Sequence, residues 1–271
     1  MSPKRSAPAA SDAPLEDDSP DFITSVARAF AVLRCFRSRE RFLGVREIAR
    51  RTGLPKSTIA RLSYTLTRLG YLEYLPAEEK YSLGIGVLGL AQHYLAGLDV
   101  RQVARPLMQE LAESTHATVA LGARDGDHMV FIELCHGNQL FRLSVEVGQR
   151  VPRGTTALGR AGFVALSERD RAKMVASYLK RVDKPEWPKV QAALDEASRE
   201  YEKYGFCFSL GDWNKEVFAV GVPLMLSEDQ LLAISCFGPM QEMTRERLIG
   251  EIGPRVVQLR DRVRAKLRGP F

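Results

Sequence analysis

No stretch of the 271-residue chain approaches the roughly 18 consecutive apolar residues that a membrane-spanning helix needs. No membrane partner is therefore expected. The first twenty residues, MSPKRSAPAASDAPLEDDSP, lack an apolar core and do not read as a secretory signal. Their Ala, Ser, Pro and Asp content cannot bury enough surface to order itself, which predicts a disordered tail over 1–20 and a cytoplasmic protein. Cysteine is scarce and scattered. Cys35, Cys135, Cys207 and Cys236 form no C-x-x-C pair, so neither a zinc site nor a disulfide framework is suggested. Four buried thiols in a reducing compartment are the ordinary expectation. The four histidines, His93, His116, His128 and His136, show no metal-ligand spacing on a common helix. No Ser-His-Asp, phosphate-loop or zinc motif is present, and no cofactor or metal is expected.

Acidic residues are missing from one place in particular. Residues 21–70 carry eleven Arg and Lys against only Asp21, Glu40 and Glu47, a surplus of eight. The whole chain is +6 and residues 1–20 are −2, so residues 71–271 balance to zero. A solvated helix face usually mixes signs, whereas Arg concentrated in this way is a footprint of phosphate binding.

That basic segment has the pattern of a helix-turn-helix. ITSVARAFAVLRCFRS places Val26, Phe30, Leu33 and Phe36 at near-helical spacing, with Ser25 able to cap the start. Val45, Ile48 and Ala49 form a second short stripe that Gly53 ends, and Pro55 suits the opening of a third helix. In that helix Ile59, Leu62, Leu66 and Leu69 share one face. Ser57, Arg61, Tyr64 and Arg68 share another. Two short helices around a tight turn direct the N-terminal part of the second into the major groove, so Lys56, Ser57, Thr58 and Arg61 meet DNA first. Arg can fork onto guanine, while Ser, Thr and Lys reach phosphates or base edges. YLEYLP and KYSLG follow as a hairpin around Ala77-Glu78-Glu79-Lys80, which reads as a wing. A three-helix packing module without a DNA role is the plainer alternative.

The order ARAFAVLRCF, VREIARRTGLPKSTIARLSYTLTRLGYLE and KYSLG resembles the N-terminal domain of the IclR family of transcription regulators, most closely in LPKSTIARLSYTL. The resemblance implies a winged helix-turn-helix over 21–83 whose partner is double-stranded DNA. GIGVLGLAQHYLAGL, over 84–98, is too apolar for a solvated linker. In IclR-like proteins the corresponding helix packs against its counterpart, so a linker and dimerisation helix is expected over 84–99. A homodimer on a palindromic operator follows, with a tetramer left open. A further helix is expected over Val100–His116.

Beyond it the period shifts to alternation. ATVALGARDGDHMVFIELC reads as two strands joined at Asp125-Gly126, and QLFRLSVEVG as a third. TTALGRAGFVAL reads as a helix capped by Thr155 or Thr156. Helices near Glu168–Arg181 and Pro188–Tyr204, strands in GFCFSL, VFAVGVPLML and QLLAISCFG, and a closing helix complete the pattern. Uneven alternation of this kind indicates an α+β domain on an antiparallel sheet. Its order resembles the GAF-like effector-binding domain of the IclR family, over 100–271. TALGRAGFVAL stands for the family's Thr-Ala-x-Gly-Lys-Ala segment, with Arg160 in place of Lys. AISCFGP stands for its Ser-x-Ser-Gly-Pro strand end.

A helix start presents unpaired amides and favours an anion. Thr156 and Ala157 could therefore hold a carboxylate, with Ser235 donating another bond. The local alternatives are that Thr156 only caps its helix and Ser235 only bonds backbone. The resemblance also implies pocket positions at Ser209, where a ligand-contacting Asp often sits, at Ala219, where some members have Cys, and at Phe237, in place of the second serine. With Trp213 nearby, these departures shift the expected effector from a very small polar acid to a larger organic acid, aromatic acids included. Two other readings compete with a non-enzymatic DNA-binding regulator. One is a GAF-type thiol enzyme using Cys135 or Cys207, beside which no base is recognisable. The other is a winged-helix RNA-binding or assembly module.

Overall fold

A computed structural model describes residues 17–37, 40–126, 128–138, 143–179, 187–227 and 230–268. The tail expected over 1–20 lies largely outside the described residues. The chain divides into two compact units, Met1–Gly97 and Leu98–Phe271.

The first unit begins with α1 (Thr24–Leu33), followed by β1 (Leu43–Gly44), α2 (Val45–Thr52) and α3 (Lys56–Arg68). The wing is β2 (Leu72–Leu75) and β3 (Lys80–Leu83), with β1 on the other side of β3. Two details of α1 differ from the sequence reading. Ile23 is the N-cap and no side chain caps the helix, so Ser25 lies inside the first turn. Val26 and Phe30 are exposed, whereas Ala31, Val32 and Cys35 are buried. Leu33, from the stripe read in the sequence, does pack against the core. Ala29, Val32, Cys35 and Phe36 pack with Ile48, Ile59, Leu66 and Leu72. In α3, Ile59 and Leu66 are buried as spaced, but Leu69 falls at the C-cap and is exposed. Gly53 ends α2 in the left-handed conformation, φ 71°, where a side chain would strain the turn. The linker helix, α4 (Gly86–Ala96), is shorter than the apolar run and buries none of its residues.

The second unit opens with α5 (Asp99–Thr115), capped by His116 in the left-handed region. A six-stranded, wholly antiparallel sheet follows. It comprises β4 (Thr118–Asp125), β5 (His128–His136), β6 (Arg150–Pro152), β7 (Cys207–Leu210), β8 (Val217–Met225) and β9 (Leu231–Pro239), in the order β6-β5-β4-β9-β8-β7. The third strand read from alternation is described only in its second half. Residues 139–142 lie outside the described residues, 143–148 form no strand, and the edge strand is the three residues of β6 instead. One sheet face is covered by α6 (Ala157–Val164), which in turn meets α8 (Trp187–Tyr204), with α7 (Glu168–Leu179) between them in sequence. The other face packs α5 against the closing helix. That helix starts as α9 (Arg245–Arg247), passes through a π-helical turn at Leu248–Ile252 and continues as α10 (Gly253–Arg268).

Glycine lets α6 lie directly on the sheet. A Cβ at Gly221 of β8 would sit 2.4 Å from the Ala157 carbonyl oxygen, and one at Gly122 of β4 would sit 2.5 Å from Leu158 Cδ2. On the far face, Glu133 of β5, only 4% exposed, holds Arg101 of α5 at 2.8 Å and also pairs with Arg105. Two guanidiniums on one buried carboxylate offset its desolvation and fix the first turns of α5 to the sheet.

Candidate functional site

The exposed surface of α3 carries the six side chains singled out from sequence. Lys56, Ser57, Arg61, Tyr64 and Arg68 are exposed and Thr58 is half-buried. None of the six makes a side-chain hydrogen bond or ion pair among the described residues. Tyr64 is 67% exposed, which core packing does not explain. Arg46 and Arg50 of α2, one turn apart and exposed, add two cations that periodicity alone did not single out. Arg51 behaves differently: it donates to the Cys35 carbonyl at 2.8 Å and pairs with Glu40 at 2.9 Å, so its charge serves the fold. Two rows of cationic and hydroxyl groups without internal partners can bind phosphate oxygens and base edges.

The second site is built by two rungs of the sheet and the start of α6. Ser209, Ala219 and Phe237 lie side by side across β7, β8 and β9, and Ser235 pairs with Gly221 two residues along. Thr156 caps α6 and Ala157 opens it. All six converge on one cavity of about 30 Å³, with Phe131, Leu158 and Trp213 among its other walls. Phe131 and Phe237 stack, with ring centroids 6.2 Å apart.

The hydroxyl protons there are already committed. Ser235 Oγ donates to the Val220 carbonyl at 2.9 Å and Ser209 Oγ to the Thr155 carbonyl at 2.7 Å. Thr156 Oγ1 donates to the Pro152 carbonyl at 2.7 Å and accepts from the Gly159 amide at 3.0 Å. The Ser235 proton that the sequence reading offered to a ligand is therefore donated to the Val220 carbonyl, and the hydroxyls keep lone pairs. Donors remain in the amides of Ala157 and Leu158, which as first-turn groups have no acceptor within the helix. Behind the cavity Arg160 is buried. It donates through Nε to the Gly154 carbonyl at 3.2 Å, through Nη1 to the Phe208 carbonyl at 2.6 Å and through Nη2 to Asp212 at 2.9 Å. These bonds tie the loop before α6 to β7 and to the turn that carries Trp213.

Comparison with known proteins places this architecture. The IclR helix-turn-helix domain matches residues 25–76, and the bacterial transcriptional regulator IclR C-terminal domain matches residues 92–263. The chain belongs to the IclR family.

Among IclR-family relatives, the HTH-type transcriptional regulator TsaQ1/TsaQ2 of Comamonas testosteroni is 30% identical over 257 residues, 94% of this chain and 92% of that protein. A solved IclR-family transcriptional regulator from Brucella abortus is 38% identical with a TM-score of 0.86, covering 94% of this chain and 96% of that one. An IclR homologue from Microbacterium hydrocarbonoxydans, solved in complex with 4-hydroxybenzoate, is 21% identical with a TM-score of 0.70, covering 89% and 99%, and shares the fold. The chain is thus a DNA-binding transcriptional regulator with a C-terminal effector-binding domain.

Within this IclR-family chain the thiols have little nucleophilic character. Burial pushes Cys135 up to about 11 and Cys236 up to about 12, and it raises Cys207 further. Thiol catalysis needs the opposite shift, towards thiolate. Among the described residues, no cluster of His, Cys, Asp and Glu could hold a metal ion, and no helix is long and apolar enough to cross a membrane.

Proposed function

We propose that this regulator binds a palindromic operator as a homodimer in the cytoplasm and is modulated by an organic acid carrying an aromatic ring and a hydroxyl. Residues 21–83 serve as the DNA-binding domain, 84–99 as the dimerisation helix and 100–271 as the effector domain. The observation that carries the effector reading is the convergence of Thr156, Ala157, Ser209, Ala219, Ser235 and Phe237 on one cavity. The Ala157 and Leu158 amides suit a carboxylate. Phe131, Phe237 and Trp213 suit a ring. Hydroxyls left only with lone pairs suit a ligand that itself donates, as a phenol does. The bound 4-hydroxybenzoate of the Microbacterium homologue has this chemistry.

Calorimetry with 4-hydroxybenzoate and a panel of aliphatic and aromatic acids tests the reading. Ser235→Ala is expected to weaken the acid that binds by about tenfold, the cost of one lost polar contact, with effector-free DNA binding near wild type. Undiminished affinity would move the pocket elsewhere. Loss of DNA binding without ligand would make Ser235 structural.

On the DNA side, Arg61, Ser57 and Lys56 are assigned to the major groove, with Thr58, Tyr64 and Arg68 along the same helix. Arg61→Ala is expected to cost about 1–3 kcal/mol of specific binding if Arg61 reads a base. Gel-shift titration on a duplex selected from random sequence measures this. Unchanged affinity and specificity would remove Arg61 from the readout.

The dimer reading rests on α4 and its approach, where Ile85, Leu88, Leu90 and Tyr94 are all exposed. Apolar side chains at that density are seldom left to solvent, and a two-fold partner would cover them isologously. Light scattering is expected to give twice the chain mass at micromolar concentration. A monomer there refutes the assignment.

A further inference from the structure

Acceptance of the cavity at the start of α6 as the effector site, on which this inference rests, raises the matter of which wall yields to a ligand. At about 30 Å³ the cavity holds little more than water, so a ring is seated only if it enlarges. Among its described wall residues, all but two belong to strands of the sheet or to the first turn of α6, and move only with those elements. One exception is Thr156, fixed as the cap of α6 by its bonds to Pro152 and Gly159. The other is Trp213, half-buried on the turn that joins β7 to β8.

That turn is built as one body. Gly211 opens it at φ 84°, a conformation that glycine adopts readily. The Gly211 amide donates to the Val217 carbonyl at 3.2 Å, and the Val217 amide to the Asn214 carbonyl at 2.9 Å. Asn214 Oδ1 accepts from the Glu216 amide at 3.1 Å. At its far end the turn is anchored to the strand beside it, where the Glu216 carbonyl accepts from the Met240 amide at 2.8 Å. Next to Trp213 the anchor is an ion pair, with Asp212 Oδ2 at 2.9 Å from Arg160 Nη2. Its two partners differ. The Arg160 side chain is 7% exposed and also holds the Gly154 and Phe208 carbonyls, so it stays in place. The Asp212 side chain is 30% exposed and has water to pass into.

We propose that Asp212 is a positioning residue that sets effector specificity: through Arg160 it holds the Trp213 wall closed, and an acid carrying a ring must part this pair to be seated. The free energy of that charge-assisted bond is then subtracted from the binding of a ring-bearing acid, and a small aliphatic acid is spared it. The ion pair acts as a threshold. A ring is retained only when its contacts with the stacked Phe131 and Phe237 outweigh the loss of the pair.

Trp187→Phe leaves Trp213 as the single tryptophan, so its emission reports on the turn in the ligand-free, full-length protein. In that background Asp212→Ala is expected to shift the emission to the red and to raise its quenching by acrylamide. Glu133→Ala breaks a buried pair on the other face of the sheet. It should lower the thermal midpoint without moving either signal, which separates release of the turn from general loosening. Calorimetry should then show 4-hydroxybenzoate bound about tenfold more tightly by D212A, the equivalent of one charge-assisted bond no longer broken, and acetate unchanged. Asp212→Asn keeps an acceptor for Arg160 without the charge. It is expected between wild type and D212A, and it carries the test if the alanine variant does not fold. An unmoved Trp213 signal overturns the proposal, as does a shift that E133A reproduces. Equal gains for acetate, or an affinity for 4-hydroxybenzoate that is unchanged or weaker, overturn it too. If 4-hydroxybenzoate gives no saturable heat in wild type or variant, the aromatic-acid reading fails, while a red-shifted Trp213 in D212A still supports the hold of Asp212 on that wall.

Discussion

Arg160→Ala is expected to lower the stability of the effector domain by about 3 kcal/mol, in the range for breaking a buried charged network. The side chain is 7% exposed and donates to two carbonyls and a carboxylate. Truncation leaves the Phe208 and Gly154 carbonyls without those donors, and buried unpaired acceptors are costly. For a domain of this size the thermal midpoint should fall by roughly 6–12 °C. Arg160→Lys should recover part of the loss, because an ammonium keeps the charge but does not span three acceptors in the guanidinium plane. Thermal unfolding of both variants, followed by far-ultraviolet circular dichroism, is the measurement. A wild-type midpoint in R160A would mean that the clamp adds nothing.

The other large effect is expected from a single methyl group. Gly221→Ala places a Cβ 2.4 Å from the Ala157 carbonyl oxygen and 2.7 Å from its carbonyl carbon. Both are backbone atoms of a helix start, so neither can swing aside as a side chain would. The strain must be relieved by lifting α6 from the sheet, at a cost of about 3 kcal/mol. Since Ala157 and Ser235 both line the cavity, acid binding should fall with stability. Gly250→Ala is a fitting control, because a Cβ there meets nothing within 4 Å. If G221A melts with the control, the close approach of helix and sheet is not the constraint inferred here.

How far these features could be read from sequence depended on whether they were local. The exposed row of α3 follows from spacing within one helix, so Ser57, Arg61, Tyr64 and Arg68 emerge on one surface. The wing follows from two short alternating runs around a polar turn. In α1 half of the stripe was legible: Leu33 and Phe36 pack against the core, whereas Val26 and Phe30 are exposed and Ala29 and Val32 pack in their place. Of the third strand only residues 143–148 are described; they form no strand, although the Gly148 amide reaches the Phe131 carbonyl, and the regular pairing with β5 falls to Arg150–Pro152. The cavity was only half legible. Helix-start chemistry supplied Thr156, Ala157 and Ser235, and family resemblance Ser209, Ala219 and Phe237, while Phe131, Val151 and Val217 arrive from strands whose alternation gives a face but not its neighbours. The proton directions of the three hydroxyls depend on carbonyls up to 54 residues away, so no local pattern encodes them.

The cavity's small size has a kinetic consequence. About 30 Å³ accommodates a water or two, and a benzoic-acid ring does not fit without the walls parting. For the aromatic acid proposed above, binding then requires walls of the cavity, Trp213 among them, to move apart. Observed affinity becomes the intrinsic affinity scaled by the open fraction. Association slows below the ordinary range for docking into a preformed site. A smaller residue at Trp213 should therefore speed capture even as it removes contact area. A fast-responding sensor could be obtained from this chain by loosening one wall, with the α6 amides and the three hydroxyls left in place.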